Sequence, residues 1–233
     1  MMTLKEESHV LVVFPHPDDE AFGVSATIMK YRDMGVPVTY ACLTYGDMGR
    51  NVGNPPTTRE DLWKIRKAEQ EEAARLMDLS ELKFYGYRDK TLEFEEKGKV
   101  KNDVLELLHE LKPTRLISFY PGYCVHPDHE ATAAAVLDAV AELDKKDRPT
   151  LTLVAFDKRT FEDLGEPDIQ TEVKDYTDRK LKVLSAHVSQ TAKLLIDLSK
   201  DTQVSEMARE RWFEKENFYL YDIEDWINNK GNN

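Results

Sequence analysis

The sequence contains very little cysteine: Cys42 and Cys124 are the only two among its 233 residues. Two cysteines are too few for the disulfide framework that holds small secreted domains together. Cys42 also lies in an apolar run that is typical of a buried strand. We therefore expect both thiols to be reduced, and a disulfide-rich scaffold is excluded.

Long apolar stretches are missing as well. No segment approaches the roughly 20 apolar residues of a membrane-spanning helix. The chain starts with acidic rather than basic character at Glu6 and Glu7, and the apolar run at residues 9–14 is shorter than the roughly 7–15 residues of a secretory signal. We expect no membrane partner and a cytoplasmic location.

Positive charge is in deficit, with 32 lysines and arginines against 44 aspartates and glutamates and a formal net charge of −12. Such a charge repels phosphate backbones and anionic lipids, so we expect no nucleic-acid partner. A hydrophobic share of 41% and a charged share of 33% are typical of a packed globular protein. The length favours a single domain that covers residues 1–233.

Short apolar runs alternate with helical patterns along the first two thirds of the chain. Strands are predicted at residues 9–14, 36–43, 82–85, 115–120 and 151–156, and helices at 21–34, 59–77, 102–111 and 128–143. This alternation predicts an α/β fold that is Rossmann-like, with a mostly parallel sheet and helices on both faces.

The pattern changes after residue 150, which indicates a C-terminal extension of the same domain. It predicts an edge strand at residues 169–174, helices at 179–187 and 205–211, and an aromatic closing strand at 212–221. Residues 44–58 hold three glycines and two prolines and are predicted to form a functional loop. Arg50 in this loop is a candidate lid residue, with ordinary solvation as the alternative.

The first chemical motif is His16-Pro17-Asp18-Asp19-Glu20, directly after the first predicted strand. His16 and Asp19 stand three residues apart, so both can turn toward one point at the start of a helix and share a metal. Taken alone, a histidine near an aspartate is more often a helix cap or a surface pair.

The second motif, His126-Pro127-Asp128-His129, follows another predicted strand. Ligands gather at the carboxyl edge of a parallel sheet, so both motifs are expected to face one site. Three ligands of the His, Asp, His type with one open position make a catalytic rather than a structural zinc site. Zinc lowers the pKa of bound water to about 7. The two motifs together predict a metal-dependent hydrolase.

The motifs PHPDDEAFG at residues 15–23 and HPDHE at residues 126–130, and the order of elements between them, resemble the LmbE-like (PIG-L) N-acetylglucosaminyl deacetylases. Within that family the chain is most similar to the N-acetylglucosaminyl-malate deacetylases of bacillithiol biosynthesis. The resemblance covers nearly the whole chain, including Arg66 and the segment HVSQ at residues 187–190.

The resemblance implies a role for each motif residue. His16, Asp19 and His129 bind zinc, and Asp18 is the general base that takes a proton from water. His126 stabilises the oxyanion or protonates the leaving amine, oriented by Asp128. This division is reasonable because the reaction needs a base beside the water and a donor on the far side of the amide carbon.

Two further positions match family residues that contact the substrate. The guanidinium of Arg66 suits a sugar hydroxyl or a carboxylate such as that of malate, and a solvated pair with Glu69 or Gln70 is the alternative. Asp89 matches an acidic residue on the rim that binds a sugar, and a turn former is the alternative. His187 is expected to line the pocket or to contact another subunit.

The activity implied by the resemblance is zinc-dependent removal of acetate from an N-acetylglucosaminyl conjugate, with N-acetylglucosaminyl-malate as the favoured substrate. The partner is then a small amino-sugar, and a homo-oligomer is expected because relatives are often oligomeric. Alternatives with the same chemistry are a thiol-sugar conjugate amidase and a chitooligosaccharide deacetylase. Iron is an alternative to zinc, because His/Asp ligation suits both.

Two other functional classes fit the sequence less well. A non-catalytic nucleotide-binding module shares the predicted architecture, but the turn PHPDDEAFG lacks G-x-G-x-x-G, and its adjacent carboxylates repel a pyrophosphate. A two-metal phosphoesterase needs more carboxylate ligands than the sequence places near the motifs.

Overall fold

The computed structural model describes residues 7–53, 55–200 and 202–230. Within these residues seven strands form a sheet in the order β3-β2-β1-β4-β5-β7-β6. The strands are β1 (Val10–Phe14), β2 (Val38–Thr44), β3 (Glu81–Tyr87), β4 (Arg115–Phe119), β5 (Thr150–Val154), β6 (Ile169–Glu172) and β7 (Lys215–Leu220). The first five pair in parallel, and β7 runs antiparallel to both β5 and β6.

The described helices connect and follow these strands. They are α1 (Asp19–Gly23), α2 (Ser25–Asp33), α3 (Arg59–Leu76), α4 (Lys99–Leu111), α5 (Pro127–Ala141), α6 (Thr160–Leu164), α7 (Thr177–Ala186), α8 (Val188–Leu198), α9 (Gln203–Phe213) and α10 (Ile223–Lys230). No helix in the described part of the chain is both long and apolar enough to cross a membrane.

The strand β1 shows why the sheet is covered on both faces. All five of its residues are buried, and alternate side chains point to opposite faces of a strand. Val10, Val12 and Phe14 enter a core with residues of α2, α3 and α7. Leu11 and Val13 enter a second core with residues of α4, α5 and α10. The predicted Rossmann-like fold, mostly parallel with helices on both faces, is confirmed.

The helix predicted at residues 21–34 is in fact two helices, because the chain leaves helical geometry at Val24. The carboxylate of Glu216 on β7 accepts the backbone N–H groups of Ala26 and Thr27 at 3.0 and 2.7 Å. A carboxylate at a helix N-terminus satisfies free donors and suits the helix dipole. Glu216, which is distant in sequence, thus caps the start of α2. The local periodicity of the sequence does not reveal this contact.

The C-terminal extension differs most from its prediction. The closing strand expected at residues 212–221 covers only Lys215–Leu220, and Trp212 and Phe213 belong to α9. Sequence reasoning missed α8, which begins directly after His187, and α10. Because α7 and α8 join without a glycine or proline, the usual signal of a helix boundary is missing there.

Candidate active site

Both His/Asp motifs lie in strand-to-helix turns at one edge of the sheet. His16 follows β1 and precedes α1, whereas His126 follows β4 and is the residue that precedes α5. β1 and β4 are neighbouring parallel strands, so their carboxyl ends deliver the two turns to the same place. The predicted convergence of the two motifs is confirmed.

Three side chains meet at one point of this edge. Nδ1 of His16 lies 3.2 Å from Nε2 of His129, and Asp19 oxygens lie 3.2 Å from the His129 nitrogen and 3.5 Å from the His16 nitrogen. Ligand atoms of a tetrahedral zinc lie roughly 3.3 Å apart, because each bond is about 2.0–2.1 Å long. All three residues are buried. The donor types and their spacing therefore fit a metal ion such as zinc, and binding of zinc by these three residues stays a prediction.

The second nitrogen of each imidazole in this triad also has a partner. Nε2 of His16 lies 3.1 Å from Asp128 and 3.2 Å from Asp89, and Nδ1 of His129 lies 2.9 Å from the carbonyl oxygen of Cys124. Partners of this kind accept the ring proton and leave the other nitrogen free for a metal. They fix the tautomer and the direction of both rings.

Asp128 acts on a different residue than expected. Its carboxylate contacts His16 and accepts the backbone N–H groups of Lys90 at 2.6 Å and Leu92 at 3.2 Å. Only its backbone N–H reaches His126, donating to Nδ1 at 3.1 Å. The expectation that the Asp128 side chain orients His126 is therefore wrong, because the loop after β3 draws the carboxylate toward His16.

Asp89 lies away from the rim on which it was expected. It is 2% exposed, accepts the backbone N–H of Met48 at 2.9 Å and faces His16. Burial disfavours its charged form, but His16 and that N–H together lower the pKa of the Asp89 carboxyl. A residue so enclosed supports the metal triad, and the rim assignment is wrong.

His126 lies beside the triad, and one of its ring nitrogens already accepts a hydrogen bond. Its ring centroid lies 4.8 Å from that of His16 and 5.2 Å from that of His129. Burial, reinforced by these two rings, lowers the pKa of His126, so the ring is neutral at pH 7. Because Nδ1 accepts a backbone N–H, the proton is on Nε2, which can donate to a substrate.

Asp18 precedes the ligand Asp19 without joining the triad. An Asp18 carboxylate oxygen lies 3.2 Å from Nη2 of Arg66. Burial raises the pKa of Asp18 to about 6, although the charge of Arg66 acts in the opposite direction. A general base works best with a pKa near the working pH. A pKa of about 6 suits this role, and the assignment of Asp18 as the general base stays a prediction.

Arg66, on α3, is 4% exposed. Its guanidinium donates to the carbonyl oxygens of Pro17 and of Gly46, the latter at 2.9 Å, and pairs with Asp18. The alternative of a solvated helix arginine is wrong, because tertiary contacts enclose the side chain. Contact of Arg66 with a substrate stays a prediction.

Gly46 makes room for this arginine. The residue has a φ of +63°, and a Cβ there would lie 2.0 Å from Nη1 of Arg66. Both the backbone conformation and the space require glycine. Gly46, near the start of the loop at residues 44–58, therefore sets the path of the Arg66 side chain.

His187 is fully buried, so neither of its expected places, a pocket wall or a subunit contact, is correct. Its Nε2 lies 2.8 Å from Glu20. Sequence reasoning missed this role of Glu20, although the residue is part of the first motif. Arg50 is exposed, and its backbone carbonyl accepts from Gln190 at 3.0 Å; its role as a lid residue stays a prediction.

A buried metal-ligand triad with a neighbouring carboxylate, at the carboxyl edge of a Rossmann-like sheet, defines a metal-dependent hydrolase. Comparison with known families narrows this class. The chain belongs to the PIG-L family, described as GlcNAc-PI de-N-acetylase, whose profile matches residues 11–140.

Two curated bacterial proteins are similar over nearly their whole length. A probable N-acetyl-alpha-D-glucosaminyl L-malate deacetylase 2 of Bacillus anthracis is 45% identical over 223 residues, which cover 95% of this chain and 99% of the relative. The protein of the same name in Bacillus subtilis is 41% identical over 220 residues, which cover 94% and 100%. The predicted metal-dependent amidohydrolase of the N-deacetylase type is confirmed.

Solved structures of lower identity share the fold. N,N'-diacetylchitobiose deacetylase from Pyrococcus horikoshii superposes with a TM-score of 0.75 at 24% identity, covering 95% of this chain and 86% of its own. GalB, a 4-carboxy-2-hydroxymuconate hydratase from Pseudomonas putida, gives a TM-score of 0.69 at 15% identity, covering 92% and 96%. A hydratase on the same fold shows that the activity must be argued from the site.

Proposed function

We propose that the protein is a zinc-dependent deacetylase that removes acetate from N-acetylglucosaminyl-malate in bacillithiol biosynthesis. The observation that carries this proposal is the meeting of His16 Nδ1, His129 Nε2 and the Asp19 carboxylate within 3.5 Å of one another. The names of relatives that are 41–45% identical support the choice of substrate.

His16, Asp19 and His129 would hold the zinc ion. When bound, zinc polarises the acetamide carbonyl and lowers the pKa of water to about 7. Two imidazoles and one carboxylate with an open position match the ligand sets of catalytic zinc sites. Asp128 and Asp89 hold the His16 ring in the tautomer that a metal requires.

Asp18 accepts the proton of the attacking water. Its carboxylate is ionised above a pKa of about 6 and is held in place by Arg66. The base therefore carries its charge at neutral pH. The proton that it accepts is available for the leaving amine.

His126 supplies the donor on the other side of the reacting carbon. Its Nε2–H is free of the backbone contact that occupies Nδ1. In this state the ring donates to the oxyanion that develops on the carbonyl oxygen, or to the amine as the C–N bond breaks. Asp18 and His126 then divide base and donor between two separate turns of the chain.

A deacetylase for chitooligosaccharides is the second candidate. The diacetylchitobiose deacetylase of Thermococcus kodakarensis is 27% identical over 190 residues, which cover 78% of this chain. The two substrates share the acetamide sugar and differ in the group attached to it, since malate carries carboxylates and a second sugar does not. Comparison of their rates therefore separates the two candidates.

The test uses the zinc-loaded full chain with N-acetylglucosaminyl-malate, diacetylchitobiose and a thiol-sugar conjugate. We expect acetate release with the malate conjugate at the highest kcat/KM, and a kcat about 100- to 10,000-fold lower for Asp18→Ala at equal zinc content. No release by metal-loaded wild-type protein would reject the proposed activity. A higher kcat/KM with either other substrate would reject the malate conjugate as the substrate.

The setting of the enzyme is also part of the proposal. We expect it to act in the cytoplasm as a homo-oligomer on a small amino-sugar. Light scattering coupled to size-exclusion chromatography measures the number of subunits, and a monomeric mass at micromolar concentration would contradict the expected assembly.

A further inference from the structure

A buried carboxylate and a buried imidazole form a pair directly behind Asp18. Glu20 and His187 are both 0% exposed, and Nε2 of His187 lies 2.8 Å from Oε1 of Glu20. The two residues are 167 positions apart. His187 lies between α7 and α8, outside the residues 11–140 that match the family profile. The C-terminal extension thus reaches the motif turn of the active site.

The two oxygens of Glu20 have different partners. Oε2 accepts the backbone N–H of Asp18 at 3.3 Å. Oε1 accepts from the side-chain amide of Gln70 at 3.0 Å and faces His187. Because a carboxylate is rigid and planar, the contacts of Oε1 set the position of Oε2. His187 therefore acts on the Asp18 backbone through one intervening side chain.

Asp18 is a residue that needs such support. Its φ is 114°, a left-handed backbone conformation that residues other than glycine rarely adopt. Strained backbone of this kind persists only where its surroundings over-determine it, and it concentrates at functional sites. Arg66 holds one side of the turn through the Asp18 carboxylate and the carbonyl of Pro17. Glu20 holds the other side through the N–H.

The short segment of residues 187–189 also contacts α3, the helix that carries Arg66. The backbone N–H and the hydroxyl of Ser189 donate to the two oxygens of Glu69 at 2.8 and 2.6 Å. Glu69 lies on α3, three residues after Arg66 and on the same face of the helix. Residues 187–189 therefore contact Glu20 directly and, through Glu69, the helix that carries Arg66.

We propose that His187 is a positioning residue for catalysis: acting through Glu20, it holds the Asp18 backbone in the conformation that aims the carboxylate at the reacting water. This inference rests on the proposed role of Asp18 as the general base. It assigns the C-terminal extension a part in the chemistry that the motif turns alone do not supply.

A second buried ion pair provides a matched control. Lys180 and Glu216 have side chains that are 0% and 1% exposed and lie 2.6 Å apart. Their further contacts are to the carbonyl of Phe22 and to the start of α2. This pair joins α7 to the same part of the core as His187 does, without a contact to Asp18. Loss of this pair therefore measures the effect of breaking a buried ion pair that does not contact Asp18.

The experiment compares His187→Ala, His187→Gln and Lys180→Met in the zinc-loaded full chain. Zinc content, Tm, kcat and KM are measured with N-acetylglucosaminyl-malate. For His187→Ala we expect kcat to fall on the order of 10- to 100-fold, since a misplacement of about 1 Å has this effect. KM and zinc content should stay within a factor of about two, because binding in the ground state is unchanged.

The two other variants separate positioning from stability. His187→Gln keeps an N–H donor that can reach Glu20, so it should restore most of the lost kcat. Lys180→Met should lower Tm at least as much as His187→Ala does and keep kcat within a factor of about two. If Lys180→Met does not fold, Glu216→Gln takes its place; if His187→Ala does not fold, His187→Asn, which is too short to reach Glu20, takes its place.

An equal loss of kcat in Lys180→Met, a loss confined to KM, or no recovery in His187→Gln would each overturn the proposal. A wild-type protein that releases no acetate would reject the proposed function instead. In that case crystal structures of wild type and His187→Ala decide the positioning role directly. An Asp18 φ that relaxes to a negative value supports it, and an unchanged φ rejects it.

Discussion

Nδ1 of His16 and Nε2 of His129 lie 3.2 Å apart, although 113 residues separate them in the chain. Neighbouring parallel strands, β1 and β4, bring the two turns together. The other nitrogen of each ring faces an acceptor, Asp128 for His16 and the carbonyl of Cys124 for His129, so the two facing nitrogens can both bind a cation. The carboxylate of Asp19 completes the set, and the relationship between the two imidazoles is best explained by a shared metal ion.

Replacing a ligand should remove the metal, whereas replacing the base should not. His129→Ala leaves two ligands, so we expect zinc to be lost together with activity. Asp18→Ala should keep zinc near the wild-type content and lower kcat on the order of 100- to 10,000-fold, the usual contribution of a general base. Inductively coupled plasma mass spectrometry and acetate release measure the two effects. Loss of zinc from Asp18→Ala would show that the division of roles is wrong.

Asp128 should affect metal affinity more than proton transfer. Asp128→Asn weakens the contact that holds the His16 ring, so the zinc dissociation constant should rise about 10- to 100-fold. Competition with a chelator measures the change. Asp103→Asn is the control, since that carboxylate pairs with the Tyr87 hydroxyl away from the triad. Equal zinc affinity in Asp128→Asn and wild type would contradict the assignment.

Gly46→Ala should act on the base by way of Arg66. The added methyl group collides with the guanidinium, so Arg66 must leave Asp18 and kcat should fall at least about tenfold, equivalent to about 1.4 kcal/mol. Gly35→Ala is matched to it, because Gly35 has a φ of +79° and open space around the position of a Cβ. Both variants should lose about 1–2 kcal/mol of stability from the left-handed backbone.

Kinetics and urea unfolding of both glycine variants measure these effects. Only Gly46→Ala should lose activity. A kcat in Gly46→Ala equal to that of Gly35→Ala would show that Arg66 is not needed to hold the base.

The pH dependence of stability should report on His187. Burial alone lowers the pKa of His187, but the charge and hydrogen bond of Glu20, with the charges of Asp18 and Glu69, raise the pKa above its usual 6.5. The folded state then binds this proton more tightly than the unfolded state does. The resulting stability is complete below a pH of about 6.5 and is lost as pH rises through the folded-state pKa.

Urea unfolding of wild type and His187→Gln at a series of pH values, with saturating zinc, isolates this contribution. The difference in free energy of unfolding between the two proteins should shrink as the pH rises above about 6.5. A difference that is constant or grows with pH would show that His187 is neutral in the folded protein.

The sequence predicted the parts of the molecule that depend on local pattern. Apolar runs identified β1 and β4, and the motifs that follow them placed His16 and His129 at one edge. The same reasoning failed where a contact depends on a distant loop. The resemblance implied that Asp128 orients His126, but the backbone after β3 directs its carboxylate to His16.

Packing in three dimensions decides the remaining differences. Nothing in the pattern around residue 24 shows that a carboxylate from β7 caps a new helix there. The burial of Arg66 follows from the glycine at position 46, which is 20 residues away. His187 was recognised as part of a family segment, but its partner Glu20 lies 167 residues earlier. Interactions over such distances leave no periodic signal in a single sequence.

Anomalous diffraction at the zinc edge, from crystals of the zinc-loaded protein, tests the central claim most directly. We expect one strong peak about 2.0–2.2 Å from Nδ1 of His16, Nε2 of His129 and an oxygen of Asp19. Two other groups of possible ligands compete with this site: His16 with His126 and His129, and His16 with Asp89 and Asp128. A peak bound by His126, a peak bound by Asp89 and Asp128, or no peak in crystals that contain zinc would contradict the proposed site.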